Sequence, residues 1–269
     1  DLDDMLNGYI VAASDVNGNE ANYYIMDLRS QTHFEAGHIT GAVRTTLPTI
    51  VADAASATKP ILVVCYTGQS AGHGVLALRL SGYADAKVLK WGMSGWHIDF
   101  DSWTAKIGDD AIGDPNWVMT ACGNPTGYGD PTISSTATDG ATILAERVAA
   151  LVSGGFKGVD HGDVLATPAN YYINNYWAEA DVTTYGHIAG AFRIFEFTLA
   201  NGEYNKLNPS ATVVTYCWTG QTSSMVTAYL TVLGYNAKSL KFGVNSMIHS
   251  NLTGHNWTSS PSYPYVTGP

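Results

Sequence analysis

Hydrophobic positions along the chain follow two periodicities. In YYIMD (residues 23–27) and ILVVC (61–65) they form short runs rich in Ile, Val and Tyr, bounded by polar residues, which predicts strands. From Val75 to Leu80 and from Val226 to Leu233 they recur at helical spacing. The resulting order of strand, loop, strand, helix and strand predicts an α/β fold: a parallel sheet with helices on both faces. Ligands of such sheets bind beyond the carboxyl ends of the strands. Cys65 closes one predicted strand there, and Cys217 closes another in TVVTYC (212–217).

The pattern occurs twice. ANYYIMD (21–27) returns as ANYYINN (169–175), and GHITGAVR (37–44) returns as GHIAGAFR (186–193). CYTGQ after the first strand returns as CWTGQ, and LSGYADAKVLKWG, ending at Gly92, returns as VLGYNAKSLKFG, ending at Gly243. Elements kept in order at so long a spacing mark a tandem duplication rather than a solenoid. The Ser, Thr, Gly and Asp-rich segment GDPTISSTATDG (129–140) is the expected linker. It predicts a first domain over 1–129, with a C-terminal extension from about 102, and a second over 140–269. Ile143, Leu144, Val148, Leu151 and Val152 share one helical face and are expected to open the second copy. The first copy starts near Asp3 with a shorter version of that helix. Residues 102–129, with Trp117 and Cys122, lack a second-copy equivalent of the same length and are expected to wrap over a surface of the pair.

A chain of 269 residues accommodates two domains, each able to bury a core. With 13 Lys and Arg and a net charge of −10, it lacks the dense cationic contacts that nucleic acid requires. Three cysteines do not make a framework of paired disulfides, and they read as thiols. The histidines show no metal-ligand spacing, so neither a metal nor a cofactor is expected. His33, His73, His97, His161, His249 and His255 are read as surface or packing residues. No apolar run approaches the roughly 18 residues of a membrane span. Only 13% of residues are charged, a composition associated with exported bacterial proteins. The sequence opens at Asp1 rather than a methionine, which fits a removed leader and equally a trimmed chain. The expected location is periplasmic or extracellular, with the cytoplasm as the alternative.

Each cysteine begins a loop that leads into the first turn of a helix, where backbone N–H groups have no intrahelical acceptor. An anionic sulfur is their natural occupant. Gly68 and Gly220 let the amides converge, and Thr67, Ser70, Thr219 and Thr222 offer hydroxyl donors. No Lys or Arg lies in either loop, so stabilisation rests on the helix end, about 0.5–2 kcal/mol. This predicts a moderately reactive nucleophile. A lone buried cysteine is most often inert. Two at equivalent positions, each followed by an aromatic, Thr, Gly and Gln, point instead to shared chemistry. Cys122, without a counterpart, is read as inert.

These residues resemble the rhodanese family of sulfurtransferases. YIMDLRSQTHFEAGHITGAV (24–43) resembles the family's Asp-x-Arg and Gly-His-Ile-x-Gly-Ala segments, VVCYTGQSA (63–71) its six-residue active loop, and LKWGMSGW (89–96) its Gly-x-x-x-Trp ending. The resemblance implies that Cys65 and Cys217 take a sulfane sulfur from a donor such as thiosulfate or polysulfide and hold it as a persulfide. They then pass it to a thiophilic acceptor: cyanide, a thiol or a protein. It implies a substrate-binding loop of Tyr66, Thr67, Gly68, Gln69 and Ser70, and a second of Trp218, Thr219, Gly220, Gln221 and Thr222. Asp27, Arg29, His38 and His187 are expected to shape strand ends and loops, and Trp91 and Phe242 to line the pockets or pack on the sheet.

The chain departs from the family in three places. Ser70 and Thr222 stand where family loops often carry arginine, Asn175 and Trp177 replace the Asp27 and Arg29 pair, and residues 245–247 replace SGW. A cysteine phosphatase would need an arginine to clamp its phosphate where Ala71 and Ser223 stand. The rival that survives is a noncatalytic carrier or binding module for sulfur or another chalcogen, serving a partner protein.

Overall fold

The computed structural model describes residues 1–195 and 197–269, and these divide into two compact units, each carrying one repeat. After a short opening helix, α1 (Leu2–Leu6), the first repeat supplies five parallel strands: β1 (Ile10–Val11), β2 (Tyr24–Asp27), β3 (Val43–Arg44), β4 (Ile61–Val64) and β5 (Lys87–Leu89). Their order across the sheet is β1-β5-β4-β2-β3. Helices α2 (Ala13–Val16), α3 (Gln31–Ala36), α4 (Ile50–Asp53) and α5 (Gln69–Leu80) connect them. The central strand β4 is buried along its whole length, which explains why its sequence runs apolar instead of alternating. Ala13, Val16, Ile25, Leu62, Val64, Leu89, Met93 and Trp96 form one core around it.

The same unit includes α6 (Gly140–Gly154) and residues 258–269. Asp139 caps α6 by accepting a hydrogen bond from the Thr142 N–H at 2.9 Å. The helix buries Val148, Leu151 and Val152, each worth about 1.5–3 kcal/mol. At Leu151 its carbonyl meets His73 Nε2 on α5 at 3.3 Å. The C-terminal segment pairs His38 with Val266 in an antiparallel bridge, and its Pro264 carbonyl accepts 2.7 Å from Trp96 Nε1.

The second unit holds β6 (Trp117–Val118), α7 (His161–Ala166) after β7 (Gly158–Val159), β8 (Tyr172–Asn175), α8 (Glu179–Tyr185), β9 (His187–Ile188), β10 (Val213–Tyr216), α9 (Gln221–Val232) and β11 (Ala237–Leu240). Four of these strands make a parallel sheet in the order β7-β11-β10-β8, the counterpart of β1-β5-β4-β2. β6 pairs antiparallel with β9.

The fold class is the one expected from the hydrophobic pattern, but the division of the chain is not contiguous at 129–140. Residues 106–136 group with the second repeat, and residues 137–156 and 258–269 with the first. Helix α6 therefore does not open the second copy. Its apolar face is buried within the unit of the first repeat. The segment after residue 102, expected to wrap over a surface of the pair, instead reaches the second repeat, where Trp117 and Val118 pair with Ile188 and His187. Its role there matches that of Val266 at His38, so each repeat is completed by the segment that trails the other. Among the described residues no helix is long and apolar enough to cross a membrane.

Candidate active site

Strand β4 delivers Cys65 to the carboxyl end of the sheet, and the chain then turns sharply at Gly68 (φ +86°) into α5. The turn brings backbone donors onto the sulfur. Cys65 Sγ accepts from the Gly68 N–H at 3.1 Å and from the Ala71 N–H at 3.4 Å. In the second unit β10 ends just before Cys217, Gly220 (φ +77°) caps the start of α9, and Cys217 Sγ accepts from the Ser223 N–H at 3.3 Å. Backbone amides of the helix start thus face each sulfur, two at Cys65 and one at Cys217, an arrangement that favours an anion. Both cysteines are recessed, each 1% exposed.

A second turn braces each loop from below. Trp91 and Gly92 are both left-handed (φ +67° and +61°), as are Phe242 and Gly243 (+63° and +55°). This places the Met93 N–H 2.8 Å from the Cys65 carbonyl and the Val244 N–H 3.1 Å from that of Cys217. Ser94 Oγ donates to the Tyr66 carbonyl at 2.9 Å, and Asn245 Nδ2 donates to the Trp218 carbonyl at 2.8 Å. The replacement of Ser94 by Asn245 is therefore no loss, since a different side chain makes the same bond. In the first unit Trp103 Nε1 adds a bond to the Thr67 carbonyl at 3.1 Å.

Gln69 and Gln221, which follow the loop glycines, turn back onto the loop threonines. Gln69 Nε2 donates to Thr67 Oγ1 at 3.1 Å and Gln221 Nε2 to Thr219 Oγ1 at 3.1 Å. Ser70 and Thr222 are half-buried at the helix start, and the following residues, Ala71 and Ser223, give the sulfurs their backbone N–H bonds.

Asp27 and Arg29 form a buried pair. The guanidinium reaches Asp27 Oδ2 at 2.7 Å and the Gly37 carbonyl at 2.6 Å, with both side chains 1% exposed. Arg29 is thereby committed to the end of β2, where the Leu28 N–H also bonds the Val64 carbonyl at 2.8 Å. In the second unit Asn175 Nδ2 and Oδ1 and Trp177 Nε1 are buried without hydrogen-bond partners among the described residues. His38 stacks on Phe34 at 3.8 Å and bonds its carbonyl through Nδ1. His187 has both ring nitrogens on carbonyls, those of Ile188 and Thr120, each at 2.8 Å. These four positions hold backbone in place.

The surroundings of the two loops differ. Beside the first, a cavity of about 250 Å³ is lined by Arg29, His33, Tyr66, Asp99, Phe100 and Ser102. Tyr66 Oη lies 2.6 Å from His33 Nδ1. In the second unit Trp218, at the position of Tyr66, is enclosed by Trp177, Tyr185 and His255, with ring centroids 4.7, 5.3 and 5.1 Å away. His33 and His255, exposed as expected of surface histidines, also neighbour the loop aromatics Tyr66 and Trp218. Nothing in the sequence signals this, because each is brought in from more than 30 residues away. Trp91 does not line the cavity; its ring packs edge-on against Trp103 at 4.7 Å.

Cys122 stands apart from both loops, half-buried in the second unit beside a cavity of about 540 Å³ that Arg193 and Glu179 also line. Burial pushes its thiol up to about 11, with Arg193 offsetting part of the effect. Among the described residues no group of three or more His, Cys, Asp and Glu side chains is placed to hold a metal ion.

The rhodanese-like domain family matches residues 12–99 and 167–249, the two repeats that carry these loops, and the chain belongs to that family. Thiosulfate sulfurtransferase GlpE of Pseudomonas fluorescens (strain SBW25) is 33% identical over 84 residues, which covers 30% of this chain and 76% of that relative. GlpE of Tolumonas auensis is 34% identical over 74 residues, 27% of this chain and 70% of its own length. Among solved structures, the 3-mercaptopyruvate sulfotransferase SseA of Escherichia coli aligns over 86% of this chain and 97% of that one, at 15% identity and a TM-score of 0.31. The family match and the two GlpE relatives support a sulfurtransferase type for the chain.

Proposed function

We propose that the protein is a sulfurtransferase that carries sulfane sulfur as a persulfide on Cys65 and on Cys217. The observation that supports this reading most is the backbone N–H donation to both loop sulfurs, from two groups at Cys65 and one at Cys217, in loops that share Cys, Thr, Gly and Gln. The Cys thiolate attacks the outer sulfur of thiosulfate, the new S–S bond forms as the bond to the sulfonate sulfur breaks, and sulfite leaves with the electron pair. An acceptor thiolate or cyanide then attacks the outer sulfur of the persulfide and the cysteine leaves as thiolate. Both half-reactions exchange one bond to sulfur for another and need no external oxidant.

The recessed thiols favour small donors such as thiosulfate or polysulfide. Because Arg29 is neutralised by Asp27 and no cation lies in either loop, such anions are held by amides and hydroxyls. The test is intact-mass measurement after exposure to thiosulfate and, separately, polysulfide. Wild type is expected to gain about 32 Da, the mass of one sulfur atom, at each loop cysteine. Cys65→Ser and Cys217→Ser are each expected to lose about half of the total loading. Loss of all loading in Cys65→Ser with none in Cys217→Ser would overturn the two-site reading. Loading without turnover to cyanide would point to a sulfur carrier serving a partner protein.

A further inference from the structure

We infer that Thr67 and Thr219 are dedicated hydroxyl donors to the outer sulfur of the persulfide, and that Gln69 and Gln221 are positioning residues that force them into that role. The inference rests on the persulfide reading above. In the second loop Thr219 Oγ1 accepts two hydrogen bonds, from Gln221 Nε2 at 3.1 Å and from the Gln221 backbone N–H at 3.3 Å. A hydroxyl has two acceptor lone pairs and one hydrogen. With both lone pairs occupied, Thr219 has only its hydrogen left to give. In the first loop Thr67 Oγ1 accepts one such bond, from Gln69 Nε2 at 3.1 Å, which biases the hydroxyl toward donating.

Neither hydroxyl hydrogen has an acceptor among the described residues. Thr219 is only 8% exposed, and a buried donor is rarely left unpaired without a use. What the loop lacks is a cation to balance a terminal sulfur that bears negative charge. A hydroxyl two residues after each cysteine, held donor-only at Thr219 and biased that way at Thr67, supplies part of what an arginine supplies by charge. Charge-assisted hydrogen bonds of this kind are the stronger ones. The arrangement also accounts for the glutamine in both copies, since a turn alone requires the glycine and a helix start.

The direction of the Gln-to-Thr bond makes the idea testable. A glutamate in place of Gln221 offers only acceptors, so it would draw the Thr219 hydrogen away from the sulfur. A leucine offers neither donor nor acceptor and frees the hydroxyl to rotate. In a Cys65→Ser background, which isolates the second loop, we expect Thr219→Val and Gln221→Glu each to slow persulfide formation from thiosulfate about tenfold or more. Thr219→Ser should stay within about twofold of the background protein, and Gln221→Leu should fall between these limits. The same series at Thr67 and Gln69 in a Cys217→Ser background is expected to repeat the order. A merely structural glutamine would give the opposite ranking, with the polar Glu tolerated better than Leu, and that ranking would overturn the inference. Equal loading in Thr219→Val and the background protein would also overturn it. If Thr219→Val does not fold, the contrast between Gln221→Glu and Gln221→Leu decides. If the background protein itself takes up no sulfur, the persulfide reading fails first.

Discussion

Gly92 lies so close to the carbonyl oxygen of Cys65 that a β-carbon there would overlap it, and its left-handed backbone (φ +61°) is one that side chains rarely adopt. Gly243 stands in the same relation to Cys217, also with a left-handed backbone (+55°). The glycine that closes LKWG and LKFG is therefore the floor of the cysteine loop. Gly92→Ala is expected to cost about 1–2 kcal/mol from the backbone alone, and about 1–3 kcal/mol more from overpacking. The change should lower the denaturation midpoint and abolish sulfur loading at Cys65 while Cys217 still loads. Wild-type loading at Cys65 in this variant would show that the loop does not need its floor.

The buried pair of Asp27 and Arg29 ties the end of β2 to the Gly37 carbonyl. Removing one partner leaves the other charge buried and unpaired. Arg29→Leu should therefore destabilise the first unit by about 3–5 kcal/mol, read from urea denaturation. Replacing both residues with apolar ones should cost less than either single change, and a double variant worse than both singles would contradict this.

In the second unit Asn175 is buried with neither amide atom paired among the described residues. Substitution by leucine, which branches at the same atom with bulkier methyl ends, removes that desolvation cost. Asn175→Leu is expected to leave stability unchanged or raise it by up to about 1–3 kcal/mol. A clear fall in the denaturation midpoint would show that the amide has a partner of its own.

Asn245 makes three bonds at once. Its Nδ2 donates to the Trp218 and His255 carbonyls, and its Oδ1 accepts from the Trp257 N–H at 2.7 Å. Asn245→Ala is expected to cost about 1–3 kcal/mol and to reduce loading at Cys217. Ser94→Ala, which breaks the corresponding bond to Tyr66, should do the same at Cys65, and unaltered loading in both would remove the loop carbonyls from the argument.

Cys122 gives a pH signature. Its thiol, raised to about 11 by burial, stays protonated near neutral pH. Alkylation mapped by peptide mass should be slow at pH 8 and rise steeply toward pH 11. A group whose folded value is raised contributes stability that is complete below its unfolded value of about 8.5 and is lost as pH climbs through the folded one. Cys122→Ala should remove that high-pH dependence and leave sulfur loading intact. Rapid labelling of Cys122 at pH 7 would contradict the assignment.

The duplication, the parallel α/β class and the two cysteine loops were legible in the sequence because each rests on short-range chemistry. Buried strands read as apolar runs, glycine marks a left-handed turn, and repeated local motifs reveal their copies without any knowledge of long-range contacts. The scaffolding role of Asp27 and Arg29 came instead from the resemblance to the family, and the structure places them in a buried pair bonded to the Gly37 carbonyl. Tertiary structure alone decided which segment completes which unit. An amphipathic helix such as α6 carries an apolar face but no record of the surface it will cover, so its position in the chain suggested the wrong repeat. The same holds for His33 beside Tyr66, for His255 on Trp218, and for Asn245 doing the work of Ser94. Each depends on distances between residues far apart in sequence, set by the packing of whole elements rather than by any local preference.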